Sequence, residues 1–234
     1  MEFKHISVLA DEVIENLNIK PDGIYVDLTL GKGGHSKRIL ENLSENGRLI
    51  ALDQDKDALN AAKENLSDFS NVSYLKSNFE NIDKVLDDLG ISKIDGALMD
   101  IGVSSYQIDN AERGFSYMHD GPLDMRMDTS NELTAEKIVN EYSLDELQKI
   151  FSNYGEERFS RTIARKIVET RDEQRIDTTF KLRDLINKSI RSNEAHPEKR
   201  VFQALRIEVN RELEVLENTL DKIIDHLNVD GRLC

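Results

Sequence analysis

The sequence predicts an α/β fold in which a mostly parallel sheet is flanked by helices, and three observations carry that prediction. In the first hundred residues, short apolar runs alternate with segments of helical spacing. The short runs are apolar throughout rather than at every second position, as in strands buried on both faces. A Gly-rich turn, Gly31-Lys32-Gly33-Gly34-His35-Ser36, follows the first run directly, where the chain must pass from strand to helix.

The elements follow in order. Ile24-Tyr25-Val26, after the turn Pro21-Asp22-Gly23, reads as the first strand. Residues 34–43 read as a helix with Ile39, Leu40 and Leu43 on one face. Leu49-Ile50-Ala51-Leu52, after Asn46-Gly47, reads as the second strand. A helix over 56–66, a strand over 72–75, a helix over 79–89 and a strand over 94–99 complete four β–α repeats, whose crossovers should be right-handed. Residues 101–132 show no period, and a loop that long is usually functional or disordered. From residue 134 to 195 the spacing is helical. Ser143 with Glu146 forms a capping box, and Thr178 or Thr179 caps a helix running through Arg191. Pro197 breaks the chain, and one long helix is expected over 198–227, with a stripe including Val201, Leu205, Val209, Leu213, Leu216, Leu220 and Ile223. A turn at Asp230-Gly231 should then start a new strand.

A length of 234 residues suits one large domain or a core carrying an inserted smaller one. The net charge of −14 speaks against nucleic acid at first sight. Its distribution changes that reading, because residues 158–206 hold 13 basic against 7 acidic side chains, net +6. That stretch is either a solvated helix face or an anion-binding one. The single Cys, Cys234, excludes a disulfide or Cys-based metal site within one chain and fits a reducing cytoplasm. The first residues hold early acids and no apolar core, so no signal peptide is read there. No apolar run approaches the roughly 18 residues of a membrane span. His5, His35 and His119 lack metal-ligand spacing, so no metal is expected.

Candidate chemistry gathers at the strand ends. The Gly-rich turn lets a ligand approach bare backbone at a helix N-terminus. Asp53 ends the second strand, 20 residues after Gly33, where a carboxylate can accept both hydroxyls of a ribose. An adenosine-type ligand is implied, and both S-adenosylmethionine and NAD fit. The dinucleotide pattern is incomplete, since Ser36 stands where its third glycine would be. Phe79 follows the third strand and could cover an adenine or simply pack in the core. Asp100 ends the fourth strand, at the lip where reacting groups sit in open α/β sheets.

Five segments then carry a resemblance to a known family. They are residues 5–12, the Gly-rich turn, the run from Asp100 to Met127 with its block RGFSYMHDGPLDMRMD, the motif Tyr154-Gly155-Glu156-Glu157-Arg158-Phe159, and Phe202-Gln203-Ala204-Leu205-Arg206-Ile207 with Asn210 and Glu212. In order and nearly along the whole chain, they resemble the bacterial 16S ribosomal RNA cytosine-N4 methyltransferases. The resemblance implies a cytoplasmic enzyme with a class I methyltransferase Rossmann-like sheet and an inserted all-helical domain. It implies S-adenosylmethionine as cofactor and 16S rRNA or the small ribosomal subunit as partner, with no membrane; oligomeric state is not readable. The core is expected over 1–108 and 199–234, and the active-site loop and helical insert over 109–198. The family's cofactor contacts fall on Gly33, Gly34, His35, Asp53, Phe79, Asp100 and Gln107. Family members continue past Gly231-Arg232-Leu233 into further strands, so the chain resembles a family protein truncated at its C-terminus.

The implied chemistry is a direct displacement onto an exocyclic amine. Its lone pair is delocalised into the ring, so acceptors aimed at the amino hydrogens would localise it. Asp100, a backbone carbonyl near Ile101, and Ser104 or Ser105 are the expected catalytic groups. Base extrusion would need an aromatic stack from Tyr106, Phe115 or Tyr117. Arg113, Arg126, Arg161, Arg165 and Lys166 are the expected RNA contacts, Arg113 and Arg126 having carboxylates nearby as alternative partners. An NAD oxidoreductase and an RNA-binding factor without turnover are the competing functions.

Overall fold

The computed structural model describes residues 7–190 and 196–234. His5 and the expected extension of a helix through Arg191 lie outside these. The chain divides into two compact units, residues 1–102 with 214–234, and residues 103–213.

The first unit is built on five strands, β1 (Ile24–Asp27), β2 (Arg48–Asp53), β3 (Val72–Lys76), β4 (Ile94–Leu98) and β5 (Leu227–Leu233). All pair in parallel, in the order β3-β2-β1-β4-β5. The helices interleaved with the strands are α1 (Ala10–Leu17), α2 (Gly34–Leu40), α3 (Lys56–Asn65) and α4 (Ile82–Asp88). The strands alternate their side chains between two buried clusters. Tyr25, Leu49 and Ala51 pack with Leu17, Ile39, Leu59 and Leu66; Val26, Ile50 and Leu52 pack with Ile82, Leu86 and Ile223. Both faces are therefore dry, which is why these strands read as continuous apolar runs. The strand order reverses between β1 and β4, and a ligand crevice is expected outside the carboxyl ends of strands at such a point.

The second unit is helical: α5 (Ser105–Asp109), α6 (Ala135–Glu141), α7 (Leu144–Asn153), α8 (Ser160–Arg171), α9 (Thr179–Ser189) and α10 (Pro197–Asn210). The capping box at Ser143 and Glu146 is present, and Thr178 caps α9 by accepting from the Lys181 N–H. One core joins Leu147, Phe151, Ile163, Ile167, Leu182, Ile186, Val201, Phe202 and Leu205. It also takes in Phe115, Leu123, Met125 and Met127, so much of the aperiodic run over 101–132 is ordered by burial.

Several expectations are corrected. The single long helix over 198–227 is two, α10 and α11 (Glu212–His226), because Arg211 takes a left-handed conformation at φ 50°. Its apolar stripe divides accordingly: Val201, Leu205 and Val209 belong to the helical core, Ile223 to the sheet core, while Leu213 and Leu220 are exposed. The units accordingly divide at 102/103 and 213/214, where boundaries at 109 and 199 were expected; α10 buries its face among the other helices of the second unit. The helix after β3 begins with a short 3-10 turn, Phe79–Asn81. The turn at Asp230-Gly231 lies inside β5, where a register shift opposite β4 absorbs it.

Candidate functional site

The Gly-rich turn leaves β1 and enters α2. Gly33 is the residue before α2 at φ 83°, a conformation that side chains rarely adopt, and a Cβ there would lie 2.9 Å from Leu66 Cδ1. Gly34 and His35 form the first turn of the helix, so their N–H groups are those of its positive end.

Asp53 closes the turn from the neighbouring strand. Its Oδ2 accepts from the Gly31 N–H at 2.8 Å and its Oδ1 from the Asp55 N–H at 2.8 Å. Burial pushes its pKa up to about 6, with those two N–H bonds pulling the other way. Each oxygen carries a second lone pair, so the carboxylate can accept two further hydrogen bonds.

A residue pair that sequence reasoning passed over holds this loop. Asp27 at the end of β1 is fully buried; its Oδ2 accepts from the Ser36 hydroxyl at 2.6 Å and its Oδ1 from the Thr29 N–H at 3.0 Å. Burial raises its pKa, and the Ser36 and Thr29 bonds oppose that. Thr29 Oγ1 in turn accepts from the Asp100 N–H at 2.7 Å. The chain of bonds Ser36–Asp27–Thr29–Asp100 ties the Gly-rich turn to the end of β4. The legible signal was a carboxylate at the end of a buried strand, which needs local donors.

Asp100 itself is half-exposed, with Oδ2 3.8 Å from His35 Nδ1. The His35 ring is buried, and its Nε2 donates to the Val8 carbonyl at 2.8 Å. Phe79 is half-buried against the cluster around Ile82 and Leu86, so part of its ring serves packing. Gly33, Gly34, His35, Asp53, Phe79 and Asp100 thus all belong to the sheet unit, at or beyond the carboxyl ends of its strands.

Gln107, Ser104 and Ser105 belong to the helical unit. Ser104 caps α5, its Oγ accepting from the Gln107 N–H at 3.2 Å, while Gln107 Oε1 accepts from the Ser104 N–H at 3.0 Å. Gln107 is buried, and Ser105 opens the helix. This box gives Ser104 and Gln107 a local structural task that the sequence reading did not assign.

The expected RNA contacts separate sharply. Arg113 is 7% exposed, and its guanidinium donates to the Arg126 carbonyl at 2.9 Å and the Met127 carbonyl at 3.2 Å. Arg126 grips Asp124 with two nitrogens, at 2.8 and 2.6 Å, and the carbonyls of Thr129 and Asn131 with the third. Asn210 supports the same loop, accepting from the Met127 N–H and donating to the Met125 carbonyl, each at 2.8 Å. Both arginines are therefore internal ties, which corrects their assignment to RNA. Phe115 is corrected likewise: it is buried in the helical core. Tyr117 packs edge-on against Phe202 at 5.8 Å, and Tyr106 is half-buried on α5. Arg161, Arg165 and Lys166 are exposed on α8, Lys166 lying 3.4 Å from Glu169.

Among the described residues, no group of three His, Cys, Asp or Glu side chains could hold a metal. Among the same residues, no helix is long and apolar enough to cross a membrane.

The sequence profile of the MraW methylase family matches residues 2–234. The chain is 58% identical to the ribosomal RNA small subunit methyltransferase H of Clostridium botulinum (strain Kyoto / Type A2), over all of this chain and 76% of that protein. It is 57% identical to the protein of the same name from Lachnospira eligens, again over all of this chain and 76% of the other.

Proposed function

The chain belongs to the MraW methylase family and is an S-adenosylmethionine-dependent methyltransferase of small-subunit ribosomal RNA; on that premise we propose that it methylates N4 of a cytosine in the decoding centre of 16S rRNA, in the cytoplasm. The observation that carries the cofactor's place is Asp53, a carboxylate held by two backbone N–H groups with two lone pairs to spare, beside a turn of bare backbone.

The residues present fit the cofactor. Asp53 would accept the ribose hydroxyls. Gly33 and Gly34 would let the amino-acid end approach the first turn of α2. Phe79 would offer a ring edge or face to the adenine. When bound, S-adenosylmethionine supplies an electrophilic methyl group and no metal is needed to activate it. Asp100 is the group best suited to the acceptor amine, because its half-exposed carboxylate accepts hydrogen bonds and its main chain is pinned by Thr29. A carboxylate accepting from the amino hydrogens returns the nitrogen lone pair from the ring and takes up developing positive charge. Ser104 and Ser105 are weaker candidates, and removing the Ser104 hydroxyl also removes a helix cap. The exposed basic face of α8, with Arg161, Arg165 and Lys166, would meet RNA phosphates.

The direct test is nucleoside mass analysis of 16S rRNA from a bacterium lacking its own enzyme of this family, with and without this chain. N4-methylated cytidine that returns with the chain, and fails to return with Asp100→Asn, is the expected result. RNA that gains no methyl group, or gains it on another atom, contradicts the proposed acceptor.

A further inference from the structure

The helical unit carries an exposed ring that has no part in the chemistry above. His196 stands directly before α10, and its side chain is 67% exposed. Pro197 follows it and disfavours the helical conformation at that position. His196 takes a left-handed φ of 61° instead. Its ring is nevertheless held: Nδ1 donates to Glu198 Oε1 at 3.0 Å, and the Glu198 side chain is buried.

A second ring lies beside it. The centroids of His196 and Tyr117 are 6.4 Å apart, with the planes inclined at 32°. That spacing is within the range of interacting aromatic pairs. Tyr117 is half-buried and set edge-on against the buried Phe202 at 5.8 Å. The loop that carries Tyr117 is fastened to α9. The Thr179 hydroxyl donates to the His119 carbonyl at 2.7 Å and accepts from the Gly121 N–H at 3.1 Å, and the Phe180 N–H donates to Asp120 Oδ1 at 3.2 Å. His196 is thus fixed through Glu198, and Tyr117 through Phe202 and its own loop.

Stability alone explains this arrangement poorly. A carboxylate in the first turn of α10 is favoured by the helix dipole whether or not an imidazole is bound to it. The imidazole keeps most of its surface in water, so its own burial contributes little. Unpaired RNA bases, by contrast, are recognised by stacking on rings such as His and Tyr. A ring already locked in one orientation offers its face with little further loss of side-chain freedom. The local charge suits the same ligand. Lys199, bonded through its N–H to the His196 carbonyl at 3.1 Å, adds an exposed cation to this end of α10. A nucleotide brings a phosphate with its base, so a cation close to aromatic rings fits it.

We propose that His196 and Tyr117 form a stacking platform for an unpaired base of the ribosomal RNA, with Glu198 as the positioning residue that orients the His196 ring. The proposal rests on the reading of this chain as an RNA methyltransferase. It adds a site that engages a base, where the face of α8 would engage the phosphate backbone.

The experiment measures binding of the chain to small ribosomal subunits that lack the modification, over a range of salt concentrations, with melting curves alongside. His196→Ala should weaken binding about tenfold, the scale of one lost base stack. The salt slope should stay unchanged, because stacking releases no counterions. His196→Phe keeps a ring and should recover most of the loss. Glu198→Gln can still accept from Nδ1 and should bind like the wild type. Glu198→Ala should weaken binding when His196 is present and add nothing to His196→Ala, the non-additivity of two residues acting as one. Effects that multiply in the double variant would contradict positioning by Glu198. A slope lowered by about 0.7–0.9 in His196→Ala would make the ring a phosphate contact. A Phe variant as weak as the Ala variant would assign the site to a hydrogen-bonded partner, such as a ribosomal protein. Either result overturns stacking. If the triple change of Arg161, Arg165 and Lys166 abolishes binding while His196→Ala leaves it at wild type, only the platform fails. If neither alters binding, the RNA reading fails as a whole.

Discussion

The Gly-rich turn of the sheet unit and the block over residues 113–127 of the helical unit use charge in opposite ways. At the turn, Asp53 takes two backbone N–H groups and keeps acceptor capacity at the carboxyl end of its strand. In the block, Arg113 is buried on two carbonyls and Arg126 is engaged on a carboxylate and two more carbonyls. The block is one of the segments on which the family resemblance was read, and yet its arginines hold the protein to itself. A distinctive motif therefore marks what the fold needs as readily as what the substrate touches, and burial with a census of partners tells the two apart.

The largest effect should come from the block. Arg113→Ala removes a buried guanidinium and leaves two carbonyls without their donor, at a cost of about 3 kcal/mol. Melting curves should show it, and the salt slope of RNA binding in the folded variant should not change. A lowered slope with an unchanged melting temperature would return Arg113 to the RNA surface. Next in size is Asp53→Ala, which should weaken S-adenosylhomocysteine binding by about 1.5–3 kcal/mol in calorimetry, since the bonds removed go to a charged group. Unchanged affinity would break the placement of the ribose.

How much of this was legible follows from the range of the interactions. The four strands ending at residue 98, and their parallel pairing, were readable because both-face burial writes a continuous apolar run into each strand. The place of Asp53 at the end of β2 was readable because the apolar run stops there. The break at Arg211 was not, because the apolar spacing continues through it into α11 and only the backbone conformation reveals the kink. The fate of Arg113 was not readable either: its acceptors are main-chain carbonyls 13 and 14 residues away, and carbonyls carry no sequence signature. The cap at Ser104 could have been read, since Gln107 stands three residues on in the pattern of a capping box.

A smaller effect is expected from pH. Burial lifts Asp53 from an ordinary value near 3.8 to about 6. A carboxyl raised in the folded chain binds its proton more tightly there, so the stability it contributes is full below about 4 and is lost as pH rises through about 6. The ligand-free chain should therefore gain less stability from this group at pH 7.5 than at pH 5. Cofactor binding should run the other way, tightening as pH rises through about 6, because the ribose needs the ionised form. Asp53→Asn should flatten both dependences; a binding profile equally steep in that variant would assign the titration elsewhere. Smaller still is Ser143→Ala, which removes the cap of α7 and should cost about 1 kcal/mol in unfolding while leaving cofactor affinity unchanged.

The proposed division of labour, with internal ties in the block and RNA contacts on α8, is tested most directly by the salt dependence of binding to unmodified small subunits. Replacing Arg161, Arg165 and Lys166 together by alanine should reduce the slope by up to about 0.7–0.9 for each phosphate that these side chains neutralise, with S-adenosylhomocysteine affinity unchanged. A wild-type slope and affinity in that triple variant would contradict the account and make α8 a solvated face.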